Sequence, residues 1–282
     1  MKDTATAFVG DMPRNYDRFL RKILFEPFAE DLARRVAVDQ PATILELACG
    51  TGVVTAKLAE KLPSATLVAT DISEDMLAIA RQNVPGKVEW AIADAHDPGS
   101  VGAGFDAVVC QFGVMFLEDR VRCFTEVRKL LSGSPHPPTP SPRTTHRGEG
   151  EPGAFHFSSW APIEENPIAN LAHRTLVEMF PDDPPRFFTV PFGYADEALI
   201  RRELEQAGYS SVSIKQARLF SGSSPANDAA YGFIRGGPLA AALSERGADL
   251  NEVTAKLEVA LKSEFGDPVV SPLSAWVVRA AG

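Results

Sequence analysis

Positive charge is what this sequence is short of. Its 282 residues carry 28 Lys and Arg against 37 Asp and Glu, a formal net charge of -9, which opposes tight binding to a polyanion and makes nucleic acid a poor partner. Cysteine is scarce too. Cys49, Cys110 and Cys123 form no close pair and no metal-ligand spacing, so neither a disulfide framework nor a metal site is expected, and a reducing compartment fits. The first thirty residues are charged throughout, and no apolar run nears the roughly 18 residues of a spanning helix, so no membrane span or secretion signal is expected and the location read is cytoplasmic. No internal repeat is visible. What the chain does have is 45% hydrophobic residues, enough to bury a large core in one elaborated domain.

The most informative stretch runs from Thr43 to Gly52. Apolar Ile44, Leu45 and Leu47 read as a buried strand carrying one acid, Glu46, and the Ala48-Cys49-Gly50-Thr51-Gly52 turn opens a helix with Val53, Val54, Leu58, Ala59 and Leu62 in period. Glycine there permits positive φ and close approach of a ligand. A second strand, Leu67-Val68-Ala69-Thr70-Asp71, ends in an acid nineteen residues after Gly52, where a carboxylate can bridge two ribose hydroxyls. Ser73 then caps a helix over 74–83. A third strand over 87–93 ends at Asp94, and a fourth over 105–110 ends at Gln111-Phe112. Four strands thus present polar residues at their carboxyl ends, where open α/β sheets bind ligands. The third glycine of the dinucleotide fingerprint is replaced by Thr55, and Glu46 would repel a pyrophosphate. A phosphate-free cation suits the site better.

On these residues the chain resembles the class I S-adenosylmethionine-dependent methyltransferases: Leu45-Glu46-Leu47-Ala48-Cys49-Gly50-Thr51-Gly52 looks like their first motif. Gln111-Phe112-Gly113-Val114-Met115-Phe116 and Phe157-Ser158-Ser159-Trp160 resemble the group that includes quinone-biosynthesis and secondary-metabolite enzymes. The resemblance covers about the first 210 residues outside one insertion. It implies an α/β fold, a doubly wound, mostly parallel seven-stranded sheet (Rossmann-like methyltransferase fold) with an antiparallel edge strand and helical cap additions. It also implies S-adenosylmethionine as cofactor, touched by Tyr16, Glu46, Ala48, Gly50, Thr51, Gly52, Asp71, Ile72, Met76, Asp94, Ala95 and Gln111, with Asp94 near the adenine.

Methyl transfer to a small acceptor by in-line displacement needs the nucleophile aligned more than it needs a catalytic residue. Where a base helps, Tyr16, His156 and His173 are the candidates, and His96 stands near the adenine end. Phe112, Phe116, Trp160, Phe187, Phe188, Phe192 and Tyr231 suggest an apolar or aromatic acceptor, although core packing leaves the same trace. Met76 reads equally as core, and each acid taken singly reads equally as a cap or turn residue. A non-catalytic binder of the same cofactor, and a nicotinamide-dependent oxidoreductase, stay open as alternatives. A homodimer is allowed.

In organisation, residues 1–40 read as a helical cover with Asn15-Tyr16-Asp17 at its head, and 41–282 as the Rossmann-like domain. Between them in kind is 134–152, six prolines in nineteen residues with no large apolar side chain, which cannot build a core and reads as a disordered, dispensable insertion in a helix-to-strand turn. A docking peptide is the alternative. Helical cap segments are expected at about 164–207 and 225–265, with the last two strands, 212–220 and 274–280, as the antiparallel edge pair.

Overall fold

The computed structural model describes residues 10–133 and 153–282, so the expected insertion lies outside the described residues. Seven strands form one sheet in the order β3-β2-β1-β4-β5-β7-β6. They are β1 (Thr43–Glu46), β2 (Thr66–Asp71), β3 (Val88–Ile92), β4 (Ala107–Gln111), β5 (Ala154–Trp160), β6 (Ser211–Phe220) and β7 (Pro272–Ala281). β1 is central: Ile44 pairs with Leu67 on one side and Ala107 on the other, both in parallel. All four of its residues are buried, as expected for a strand covered on both faces. β7 alone runs against its neighbours, antiparallel to β5 and to β6, and β6 is outermost. The sheet is therefore mostly parallel with an antiparallel edge pair.

Helices cover both faces. α2 (Glu26–Val38) and α5 (Arg120–Leu130) lie on opposite sides, because β5 alternates: Trp160 meets Phe28 of α2 edge-on at 5.3 Å, while Phe157 stacks on Phe124 of α5 at 5.6 Å. α3 (Val53–Lys61) packs beside α2, and α4 (Glu74–Asn83) against β2 and β3. Ser73 caps α4 by accepting from Met76 N at 3.3 Å. α6 (Pro167–Met179), α8 (Ala226–Arg235), α9 (Leu239–Glu245) and α10 (Leu250–Phe265) pack together, and α7 (Glu197–Gln206) lies beside α5. No described helix is long and apolar enough to cross a membrane.

The amino-terminal segment departs from a plain helix. After α1 (Met12–Asn15), residues Tyr16–Phe25 form a π-helix, in which Glu26 N reaches back five residues to Arg21 O. A turn closed this way takes roughly one residue more than the α-helical 3.6, so residues nine apart share a face two turns along, whereas in an α-helix they would point oppositely. Tyr16 and Phe25 are nine apart. Their rings stack at 4.8 Å with an 18° interplanar angle.

Candidate cofactor cleft

The π-helix roofs a cleft at the carboxyl ends of β1 and β4. Tyr16 and Phe25 line it from above, Glu46, Ala48, Cys49, Gly50 and Thr51 from the β1 turn, Val53 and Val54 from α3, and Gln111 from β4. It holds about 320 Å³, counting its solvent-open mouth. The turn needs its glycines for different reasons. Gly52 (φ 81°) cannot carry a Cβ, which would stand 2.8 Å from Val84 Cγ2, while a Cβ on Gly50 (φ 56°) would meet nothing within 4 Å. The open space over Gly50 belongs to the cleft. Two non-glycine residues, Ala48 and Phe112, also have φ of 51°, a costly backbone state that clusters at functional sites.

Three polar atoms in the lining are orphaned. Glu46 Oε2, Thr51 Oγ1 and Gln111 Oε1 are buried and have no hydrogen-bond partner among the described residues. Gln111 is fixed in orientation: Nε2 donates to Phe25 O at 3.2 Å, and since a carbonyl only accepts, Oε1 must be the amide atom left over. Glu46 is 2% exposed. Burial first pushes its carboxyl up to about 8; Thr55 opposes the rise through its side chain and backbone N–H, and the nearby Asp71 adds to it.

Asp71 is engaged on both oxygens, Oδ2 accepting from Gly50 N at 2.8 Å and Oδ1 from Ser73 N at 2.9 Å. It thereby pins the glycine turn to the tip of β2. Its pKa is raised by burial against those N–H donors. Tyr16 is raised as well, by burial first and then by Asp71 and Asp17. A phenol held protonated in this way serves as a donor rather than as a base.

Other expected site residues stand elsewhere. Ile72 is 41% exposed, Met76 is buried, and neither they nor Asp94 and Ala95 line the cleft. Asp94 is exposed and turned back on His96, whose backbone N and ring Nδ1 stand 2.9 and 2.8 Å from Oδ1. Burial alone would raise its pKa, but these His96 bonds bring it below the usual value. His156 does not line the cleft: it lies within β5 with Nε2 3.2 Å from Asp39 Oδ2, which Arg279 also binds at 2.8 Å. His173, on α6, stands edge-on to Phe188 at 5.9 Å and does not line the cleft.

Of the seven aromatics singled out in the sequence, three meet beside the cleft. Phe112 stacks on Trp160 at 3.9 Å and 6°, and Phe192 stands 5.8 Å from Trp160. Phe25 and Phe28, which the sequence argument passed over, complete the group, at 6.0 and 5.3 Å from Phe112. Phe116 is exposed, whereas Phe187, Phe188 and Tyr231 pack among other helices. Among the described residues no group of three or more His, Cys, Asp or Glu is placed to hold a metal.

Comparison with known proteins bears on the same segment. The family described as "Methyltransferase domain" matches residues 44–133. The trans-aconitate 2-methyltransferase of Azoarcus sp. (strain BH72) is 37% identical over 103 residues, 36% of this chain and 40% of the relative. The malonyl-[acyl-carrier protein] O-methyltransferase of Geobacter sulfurreducens is 29% identical over 204 residues, 70% of this chain and 64% of that one. The chain thus spans less than two thirds of either relative. A solved S-adenosylmethionine-dependent methyltransferase from Thermotoga maritima superposes with a TM-score of 0.52 at 14% identity, covering 95% of each chain; at that identity the likeness speaks for the fold. Residues 44–133 therefore match the methyltransferase-domain family, and the fold over the described residues is the one its solved members share.

Proposed function

We propose that the cleft binds S-adenosylmethionine and that the chain transfers its methyl group to a small, apolar or aromatic acceptor by in-line displacement. The observation that carries this is the set of three orphaned polar atoms around one opening, the acceptors Glu46 Oε2 and Gln111 Oε1 and the Thr51 hydroxyl. Buried acceptors without partners are costly, and a ligand ammonium satisfies them with its N–H donors. A pyrophosphate would bring more acceptors to an acid and leave the cost in place, which disfavours a nicotinamide cofactor.

The cofactor, when bound, supplies a methyl carbon activated by a positively charged sulfur. The chain's part is to bind, orient and exclude water. Glu46 takes the cationic end, and Asp71 offers the ribose hydroxyls the lone pairs that Gly50 N and Ser73 N leave free. Ile72 and Met76, with Asp94 and Ala95 beyond β3, are proposed to frame the base. Tyr16 and Phe25 close the cleft from above. The Phe112–Trp160 stack, buried beside the cleft, is proposed to back the acceptor site with an apolar layer.

The same stack favours a second reading, a cofactor binder without transfer, because both rings are buried and neither lines the cleft. Titration with S-adenosylmethionine, S-adenosylhomocysteine and NADH is the first test, with binding of the first two and not the third expected. Heat from NADH alone would overturn the cofactor assignment. Screening phenols, quinols and amines for methyl transfer then separates enzyme from binder.

A further inference from the structure

Asn83, the last residue of α4, takes no part in lining the cleft, yet it touches two of the parts that build it. Its Nδ2 donates to Asp17 Oδ1 in the π-helix at 2.9 Å and to Thr51 O in the glycine turn at 3.0 Å. A carboxamide nitrogen has two diverging hydrogens, one for each acceptor; a carboxylate or an apolar side chain in its place serves neither. The end of α4 is well placed for this, since Val84 and Ala80 crowd Gly52 closely enough to forbid a Cβ there. The far end of the roof is fastened by the other carboxamide, Gln111 Nε2 on Phe25 O at 3.2 Å. Asp17 also pairs with Arg21 at 3.8 Å, but that contact lies within the roof and ties it to nothing else.

Resting on the cofactor assignment above, we infer that Asn83 is a positioning residue that latches the Tyr16–Phe25 roof to the glycine turn, so that closing the roof and setting the turn for the cofactor are one event. Asp17 adjoins Tyr16, which lines the cleft, and Thr51 O belongs to the residue whose Oγ1 is orphaned in it. At the Tyr16 end, one side chain thus spans from the cleft's roof to its glycine turn.

Hydrogen exchange across residues 16–25 and S-adenosylhomocysteine titration, run on the whole chain, test the latch. Asn83→Ala is expected to speed roof exchange and to weaken binding, each about tenfold, as loss of roughly one net hydrogen bond implies. Asn83→Asp sets a second carboxylate against Asp17 and is expected to be worse. Adding Asp17→Asn to Asn83→Asp restores a donor–acceptor pair to the roof with the roles exchanged but leaves Thr51 O without its donor, so roof exchange should return part of the way toward wild type while S-adenosylhomocysteine affinity stays low, a split that a purely local role of Asn83 at the end of α4 would not produce. Wild-type exchange and affinity in Asn83→Ala, or roof exchange in the double variant no slower than in Asn83→Asp, would overturn the latch. Failure of the wild-type chain to bind S-adenosylhomocysteine would instead remove the cofactor assignment, and the exchange measurements on the unliganded chain would still decide the latch.

Discussion

Two buried carboxylates sit at opposite ends of the same strand pair and are treated in opposite ways. Asp106, just before β4, is 1% exposed, and its Oδ2 accepts from Ala42 N, Thr43 N and Thr43 Oγ1 at 3.0, 3.0 and 3.1 Å while Oδ1 accepts from Ser132 Oγ at 3.2 Å. Glu46, at the other end of β1, is 2% exposed and has an oxygen with no partner. Burial is the same in both. A buried acid saturated by its own chain is a structural rivet, whereas one left short of donors is a place where a ligand brings them.

The largest effect on the fold is expected at the saturated carboxylate. Asp106→Ala strands two backbone N–H groups and the Ser132 hydroxyl, Thr43 Oγ1 keeping Gly104 O and Asp106 N as partners, and chemical denaturation should show a loss of about 3 kcal/mol, with S-adenosylhomocysteine affinity kept in the folded fraction. Asp71→Ala, at the cleft end, should weaken that affinity by about 3 kcal/mol in calorimetry, because it frees the glycine turn as well as removing a ligand contact.

Glu46→Gln sharpens the contrast rather than breaking it. It should cost about 2 kcal/mol of cofactor affinity and spare the fold. The pH dependence follows from the sign of the Glu46 shift. Its folded value of about 8 lies above the ordinary 4.5, so the folded chain holds the proton more tightly than the unfolded one between those two values. The unliganded protein should lose stability as pH rises through that window and level off above it. A bound cation reverses the preference, so binding near pH 7 should release a proton, seen as a buffer-dependent calorimetric heat that Glu46→Gln abolishes.

The smallest effect is expected from deleting residues 134–152. Gly153 N already donates to Ser132 O at 2.9 Å, with Gly133 at φ 76°, a geometry that suits a three-residue turn joining Gly133 directly to Gly153. Denaturation midpoints should move by no more than about 1 kcal/mol and cofactor affinity should not move at all.

How much of this could be read from the sequence depends on the range of the signal. β1, its glycine turn and α4 with its Ser73 cap were legible because strand period, positive-φ glycines and capping are local rules. Glu46 and Asp71 were legible through their spacing from those glycines. The bonds that Asp94 makes to its own neighbour His96 were not foreseen, although they are a local pattern that Asp94-Ala95-His96 could have suggested. His156 looked available because nothing in the sequence brings Asp39 and Arg279 to it: the β5–β7 pairing sets Arg279 opposite His156 in register, and the packing of α2 on β5 brings Asp39 at the end of that helix. Asn83 was invisible for the same reason, its partner Asp17 being 66 residues away. Phe25 was missed because α-helical phase turns it away from Tyr16.

That phase has a bearing on how relatives of this chain should be lined up. A segment wound one residue per turn wider than its neighbours can lose a residue and still span the same distance, so a single-position gap within 16–25 is a change of winding rather than a missing piece of roof. In a sequence carrying such a gap, the aromatic partner of the tyrosine should be sought at seven or eight positions along, not nine.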